Sequence, residues 1–493
     1  MRRLSTWLVA FAFVHIGGSA MAGDWNQWRG PDRSGVSNSS PPLIESLPAE
    51  GLPAAWISEQ IPAGGNGGWG SPVVAGGRVY LFAHYQTAKP GVELPPPKYP
   101  ALKEEEQKAF SKEDLEAYEK KRQAEDRERR VASQDVKEAI YCFDAVSGKT
   151  LWKNEKVSVF TGFSHSGTPA VVDGKLYILA PGGIARAVDV ESGDDLWNTQ
   201  LPGEYADQYH MSSFAVVDGV AVVLAGRLFG IDTESGSLLW EGDPSKTSGS
   251  HSSPAVWESS NGSFIIANVA GQDTVCINPK DGQELWRVKS EANLSTPVVV
   301  GDRLLTFGDS RKKGLRCFHL SEKEAKHLWT FQGAADKGSS PLVVGNHAYV
   351  QGEKRLACVD LKTGKAVWKS EMDLNNPQYT SLAAADGKIF YTYGKIICFR
   401  ATPDEYQELT VARLNREGLM ATDETLRRML ELAGEKSDQL DHKLEEQTSG
   451  QGALECASPA IADGRLFIRL NRGVACYDLR METETKTKLS TIK

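Results

Sequence analysis

One spacing constrains this chain more than anything else in it: an Asp or Asn stands eight residues ahead of a Trp, five times over. The copies run Asp144 to Trp152, Asp189 to Trp197, Asp232 to Trp240, Asn278 to Trp286 and Asp360 to Trp368. A hydroxyl or acidic residue followed by Gly lies inside each, as in Ser147-Gly148, Ser192-Gly193, Ser235-Gly236, Asp281-Gly282 and Thr363-Gly364. A sixth copy, Cys317-Phe318-His319 to Trp329, carries two extra residues and has no Gly. The pattern reads as a hairpin. A strand ends at the Asp, Gly supplies the positive φ of a tight turn, and an outer strand carries the Trp. The carboxylate accepts hydrogen bonds from the turn amides, and a large flat indole docks between neighbouring units.

A second signature opens each unit: a small hydroxyl residue, often followed by Pro, then an apolar run and a Gly turn. It occurs at Ser71-Pro72, Thr168-Pro169, Ser213-Phe214, Ser253-Pro254, Thr296-Pro297, Ser340-Pro341, Ser381-Leu382 and Ser458-Pro459. Four short strands per unit of roughly 40–45 residues is a propeller blade. The expectation is therefore an all-β chain: an eight-bladed β-propeller of four-stranded blades with tryptophan-docking motifs. The docking residues are Trp56, Trp152, Trp197, Trp240, Trp286, Trp329 and Trp368. The unit opening at Ser458 has no Trp eight residues beyond Asp478, where Lys486 stands. Leu52-Pro53-Ala54-Ala55-Trp56-Ile57 reads as an outer strand without a unit of its own, so an N-terminal strand is expected to close the last blade. The unit opening at Ser381 is irregular, with Arg400 for the Asp and Glu408 for the Trp.

Two intervals between openings are too long, 71 to 168 and 381 to 458. Their excess is charged and helical in pattern, which gives two helical insertions at about 86–138 and 417–449. The first holds Pro95-Pro96-Pro97 and a Glu/Lys/Arg-rich stretch from Leu102 to Val131. The second opens on the helix-start signal Thr422-Asp423-Glu424-Thr425, followed by Leu426, Met429, Leu430 and Leu432. Outer-to-inner loops share a face with the loops between strands two and three, so both insertions are expected on one face, in neighbouring sectors.

The N-terminus reads as an export signal. Arg2 and Arg3 precede an apolar stretch from Trp7 to Ile16 and then Ala20-Met21-Ala22, a small-x-small cleavage pattern. That stretch is shorter than the roughly 20 residues a spanning helix needs. The expected layout is a signal peptide over 1–22, an extension over 23–46, the propeller over 47–480 and a tail over 481–493. A periplasmic or otherwise exported monomer follows, with no transmembrane segment after signal removal. A formal net charge of -8 argues against a nucleic-acid surface.

These repeats resemble those of the pyrroloquinoline-quinone-like propeller family. It includes the quinoprotein dehydrogenases and the propeller lipoprotein of the outer-membrane β-barrel assembly machinery. Trp25-Asn26-Gln27-Trp28-Arg29-Gly30-Pro31 is similar to the start of exported members of unassigned role. The resemblance implies the fold and leaves the chemistry open. Quinoprotein dehydrogenases hold their cofactor under a disulfide between adjacent cysteines, beside calcium. This chain has no Cys-Cys pair. Cys142, Cys276, Cys317, Cys358, Cys398 and Cys476 all stand two residues before the Asp position, where the other units place Ala187 or Gly230. They are expected to be buried free thiols acting as small apolar residues, with Cys456 more exposed.

The leading expectation is a non-catalytic scaffold without a cofactor, binding a protein or another cell-envelope component through the insertion-bearing face. The alternative is an oxidoreductase with pyrroloquinoline quinone and calcium in the central channel. No catalytic residue is assigned. His165, Tyr209, His210 and His251 precede inner strands on that same face and are the candidate binding residues. Three imidazoles converging there would suit a metal or an anion; the competing reading is that each bonds locally to its own loop.

Overall fold

The computed structural model describes residues 23–205, 211–292 and 294–481. The expected signal peptide, the tail beyond Met481, Tyr209 and His210 lie outside the described residues. The first unit shows the plan. Val73–Ala75, Arg78–Ala88, Gln134–Asp144 and Thr150–Val157 form an antiparallel meander in chain order. The inner strands are covered on both faces and read as continuous apolar runs, whereas Thr150–Val157 alternates half-buried and exposed residues, as a strand with one covered face does.

Seven sheets are four-stranded blades of this kind, not the eight expected. The unit that opens at Ser381 builds a seven-stranded sheet instead, in the order Val36–Ser37, Ala383–Ala385, Lys388–Tyr393, Lys395–Arg400, Glu408–Leu414, Leu419–Ala421, Leu52–Pro53. The physical reason lies in its missing Asp and Trp. The N-terminal segment occupies the edges that a regular turn and a docked indole would otherwise organise. Val36–Ser37 pairs parallel with Ala384 and Ala385, and Leu52–Pro53 pairs with Met420 and Leu419. Glu45 pairs with both Arg400 and Lys388, so the odd Arg400 meets a carboxylate from 355 residues away.

The hydroxyls that open the units form a closed belt around the channel. Each accepts a bond from the backbone N–H of the preceding unit's opening residue: Ser71 to Thr168 (3.1 Å), Thr168 to Ser213 (3.2 Å), Ser213 to Ser253 (2.9 Å) and Ser253 to Thr296 (3.0 Å). The chain of bonds continues from Thr296 to Ser340 (3.0 Å), Ser340 to Ser381 (3.0 Å) and Ser381 to Ser458 (3.1 Å), and Ser458 returns to Ser71 at 3.0 Å. A small hydroxyl at each opening satisfies a buried amide that the inner strand leaves unpaired.

Tryptophan docking is equally regular. The indole N–H of each docking residue donates to a carbonyl in the next unit's turn: Trp56 to Ala145 (3.1 Å), Trp152 to Val190 (3.0 Å), Trp197 to Thr233 (3.1 Å) and Trp240 to Pro279 (2.7 Å). Trp286, Trp329 and Trp368 reach Ser321, Leu361 and Thr402 at 2.9 Å each. Trp56–Ile57 itself pairs antiparallel with Gly473–Asp478 and completes the last four-stranded blade. The turn carboxylates behave as the spacing implies; the Asp144 Oδ1 accepts from the Ser147 amide and hydroxyl at 2.7 Å each, which holds its pKa below the usual range.

The position two before the Asp is small because of its own unit's Trp. Cys142, Ala187, Gly230, Cys276, Cys317, Cys358 and Cys476 lie directly across the strand pair from Trp152, Trp197, Trp240, Trp286, Trp329, Trp368 and Trp56. A Cβ placed on Gly230 would stand 2.2 Å from the Trp240 ring. Six thiols are buried and free, and Cys456 is partly exposed.

The first insertion holds the helix Lys112–Ser133, capped by Ser111, with no buried residue. Its own proline-rich lead packs on it: the Lys98 and Tyr99 amides donate to the Glu125 carboxylate at 2.7 Å, and Tyr99 meets Tyr118 edge-on. The second is a helical pair, Asp423–Leu432 and Leu440–Thr448, with Leu426, Leu430, Leu440 and Leu444 buried together and Thr422 as the cap. Among the described residues no helix is long and apolar enough to cross a membrane.

One core histidine carries a pH prediction. His84 is fully buried in the first blade; its Nε2 lies 3.1 Å from the Val159 carbonyl and its Nδ1 has no partner. Burial lowers its pKa to about 4, so it is neutral in the fold while the unfolded chain takes up a proton near pH 6.5. Stability from this group is complete above pH 6.5 and is lost as pH falls toward 4, by up to about 3 kcal/mol. His84→Gln should show a smaller drop than the parent in urea midpoints measured at pH 7 and pH 4. An equal drop in both would remove His84 from the account.

Candidate functional site

The N-terminal extension turns the channel into a cup. Trp25 and Val74 exchange backbone bonds at 2.7 and 2.9 Å, Asn26 binds Val171 through both backbone and side chain, and the Gly35 carbonyl accepts from Ala384 at 2.8 Å. The segment thus crosses the channel against inner strands of several units, on the far side of the hydroxyl belt from the loop-bearing face. Trp28 closes the floor of what remains, a cavity of about 380 Å³ at the channel mouth. Belt hydroxyls of Ser71, Thr168, Ser213, Ser253 and Thr296 ring it. Trp69, Phe163, Met211, Leu294 and Tyr379 supply apolar walls, and Ser166, His251, Gly338 and Cys456 complete them.

Trp69 is held by a glycine-rich loop, Gly64-Gly65-Asn66-Gly67-Gly68-Trp69-Gly70. Gly64 and Gly68 exchange backbone bonds at 2.8 Å, and a Cβ on Gly67 would overlap the Pro62 backbone at 1.9 Å. Tyr379 and Cys456 both take positive φ, 66° and 69°, which is costly for residues with side chains. Asp336 anchors that wall. Its Oδ1 accepts from the amides of Gly338 (2.9 Å), Ser339 (2.6 Å) and Tyr379 (3.0 Å), while burial pushes its pKa up. Strain at two wall positions, Tyr379 held by the buried Asp336 carboxylate and Cys456 by the Thr380 hydroxyl at 3.0 Å, marks a surface whose shape is held in place.

The candidate histidines divide. His251 lines the cavity; its Nδ1 lies 2.6 Å from the Ser250 hydroxyl, and burial lowers its pKa. His165 is buried behind the wall, edge-on to Phe82, with Nδ1 accepting from the Gly167 amide at 2.9 Å. Its carbonyl accepts from the Trp69 amide at 3.1 Å, so it supports the glycine loop. Among the described residues no group of three metal-ligating side chains occurs. Trp28, Trp69, Asp336 and Tyr379 are not among the sequence-derived candidates. The sequence signal for Trp69 that went unread is a run with five glycines around one Trp.

Two grooves flank the cup on the same face. One, of about 610 Å³, runs from Glu445 and Thr448 of the second insertion, past Arg413 of the strand Glu408–Leu414, to Trp69, which it shares with the cup. The other, of about 630 Å³, lies between Arg127 and Val131 of the first insertion and Val157, Val159 and Phe160. Val157 is 87% exposed and Phe163 53%.

Docked indoles on four-stranded meanders, repeated around a ring, are the features of a pyrroloquinoline-quinone-like propeller. The family model described as outer membrane protein assembly factor BamB matches residues 110–259 and 246–417, more than half of the chain. The chain belongs to that family. No curated protein matches it in sequence. Its fold is similar to the quinohemoprotein alcohol dehydrogenase of Comamonas testosteroni, with TM-score 0.54 and 12% identity over 94% of this chain and 82% of that one. The quinohemoprotein alcohol dehydrogenase ADHIIG of Pseudomonas putida gives TM-score 0.55 and 13% identity over 94% and 81%. BamB of Moraxella catarrhalis gives 0.47 and 12% over 70% and 90%.

The dehydrogenase-like folds raise the question of the quinone. Pyrroloquinoline quinone is a tricarboxylate and calcium requires oxygen ligands, usually carboxylates among them. The described cup lining contains no Lys or Arg to balance the first and no Asp or Glu to hold the second. These residues do not fit the group.

Proposed function

We propose that this protein is a non-catalytic binding scaffold that acts outside the cytoplasm and docks a protein partner on its channel-mouth face. The observation that carries the reading is the concentration of concave, partly apolar surface on that face: the cup and two grooves, each groove bordered by an insertion. Exposed Val157, Val159 and Phe163 stand among them. The description of the matched family, an outer membrane assembly factor, supports a protein partner. Arg2, Arg3, the apolar run and Ala20-Met21-Ala22 support export.

A photo-crosslinking residue at Phe163 is expected to give a discrete adduct in cells that export the protein, while the same residue at Leu328, on the outer rim, gives none. Equal labelling from both positions would sink the docking face. In parallel, the purified protein supplied with pyrroloquinoline quinone and calcium should show no rise in melting temperature and no dye reduction with alcohols or sugars. A clear shift with turnover would replace this reading with an oxidoreductase.

A further inference from the structure

The segment that closes the channel carries two arginines into its interior. Arg29 and Arg33 are 1% and 2% exposed. They reach opposite sectors of the ring just behind the belt: Arg29 Nη2 donates to the carbonyls of Ser34 (3.1 Å) and Pro341, and Arg33 Nη2 donates to that of Phe214. Arg33 Nε donates to Gln27 Oε1 at 3.1 Å. The Arg29 guanidinium lies 5.7 Å from the centre of the Trp28 ring, the floor of the cup. Neither makes a salt bridge with a described residue; the acid that acts on Arg29, Asp32, is on the exposed side of the segment.

Three nitrogens are left over. Arg29 Nε, Arg29 Nη1 and Arg33 Nη1 are buried and make no hydrogen bond to any described residue. Burial lowers both pKa values to about 9, and the charge of Arg29 acts against Arg33. Both groups therefore remain cationic at neutral pH. Two buried cations without a counter-charge are costly in a low-dielectric interior, and a buried donor without an acceptor adds to that cost. Among the described residues of this segment, the buried side-chain acceptor left unpartnered is Asn26 Oδ1, which carries no charge.

We infer that the channel behind the hydroxyl belt is a buried anion site, in which a halide sits between Arg29 and Arg33. The segment packs closely where Arg29 Nη2 meets its carbonyls, a Cβ on Gly35 standing 2.9 Å from both Arg29 Nη2 and Leu342, and a halide is the simplest anion to probe the unpartnered nitrogens beside it. The bound ion completes the plug: it offsets one of the two buried positive charges and accepts from the N–H groups that the protein leaves unpaired.

Bromide tests this directly. In crystals of the full protein grown or soaked in bromide, an anomalous peak is expected within hydrogen-bond reach of both guanidiniums. In solution at constant ionic strength, replacing isethionate with chloride should raise the melting temperature saturably by roughly 2 °C or more. Arg29→Met/Arg33→Met should lose that dependence. An empty or water-filled position in the bromide map, with melting insensitive to the identity of the anion, overturns the proposal. Should the double variant fail to fold, the parent's anomalous map decides alone.

Discussion

Gly282→Ala should destabilise the protein by about 3 kcal/mol, against about 1 kcal/mol for Gly174→Ala. Both glycines adopt the same left-handed backbone, with φ of 73° at each. Alanine therefore meets the same local strain at the two sites. They differ in what a Cβ would touch. At Gly174 nothing lies within 4 Å, whereas at Gly282 the Trp240 ring is 2.6 Å away. That ring is the indole docked from the preceding unit, its Nε1 bonded to the Pro279 carbonyl at 2.7 Å. A methyl group at Gly282 must push the indole off the turn, breaking that bond and opening a gap between blades. Urea denaturation of the two variants beside the parent measures the difference. Equal losses would mean that the turn glycine serves backbone conformation alone and that docking tolerates displacement.

The comparison also separates what the sequence carries plainly from what it does not. The Asp, Gly and Trp positions recur at one spacing because each serves a contact repeated around the ring, and repetition makes them readable. The hydroxyl openings are readable for the same reason, and the belt they form, with each amide donating to the next hydroxyl, is the physical meaning of that signature. The small residue two before the Asp is visible as a pattern, but its cause is not. A bulge beside it sets the strand register that brings it opposite the Trp of its own unit, and register is not written in composition.

The seven-stranded sheet was illegible for a different reason. Its three added strands, Val36–Ser37, Leu52–Pro53 and Leu419–Ala421, are two or three residues long and show no periodicity. Arg400 advertised an anomaly without naming Glu45 as its answer. The site was legible in part. Placing candidates on the loops before inner strands led to His251, which the fold sets in the cup wall, and to His165, which lies behind that wall and supports the glycine loop. Trp28 and Arg29 belong to a segment whose charge suggests solvent; only the fold shows it crossing the channel.

The N-terminal strand bears the second large effect. Trp56 is 7% exposed, lies between Phe143 and Phe467 with ring centroids 6.3 and 6.0 Å away, and bonds to Ala145 across the blade boundary. Its truncation in Trp56→Ala should cost about 3–5 kcal/mol. Removing residues 1–61 altogether should do more than sum such contacts. Gly473–Asp478 would become an edge strand with unpaired amides and carbonyls, and the seven-stranded sheet would lose both flanking strands at once. Such an edge recruits other chains. The truncated protein is expected to aggregate at concentrations where a chain starting at residue 38, which lacks the plug but keeps the closing strand, stays monomeric by light scattering. The nested pair matters because it divides two roles of one segment: the plug shapes the cup, and the strand closes the ring. A monodisperse protein starting at residue 62 with the parent's melting temperature would show that the ring holds without its N-terminal strand.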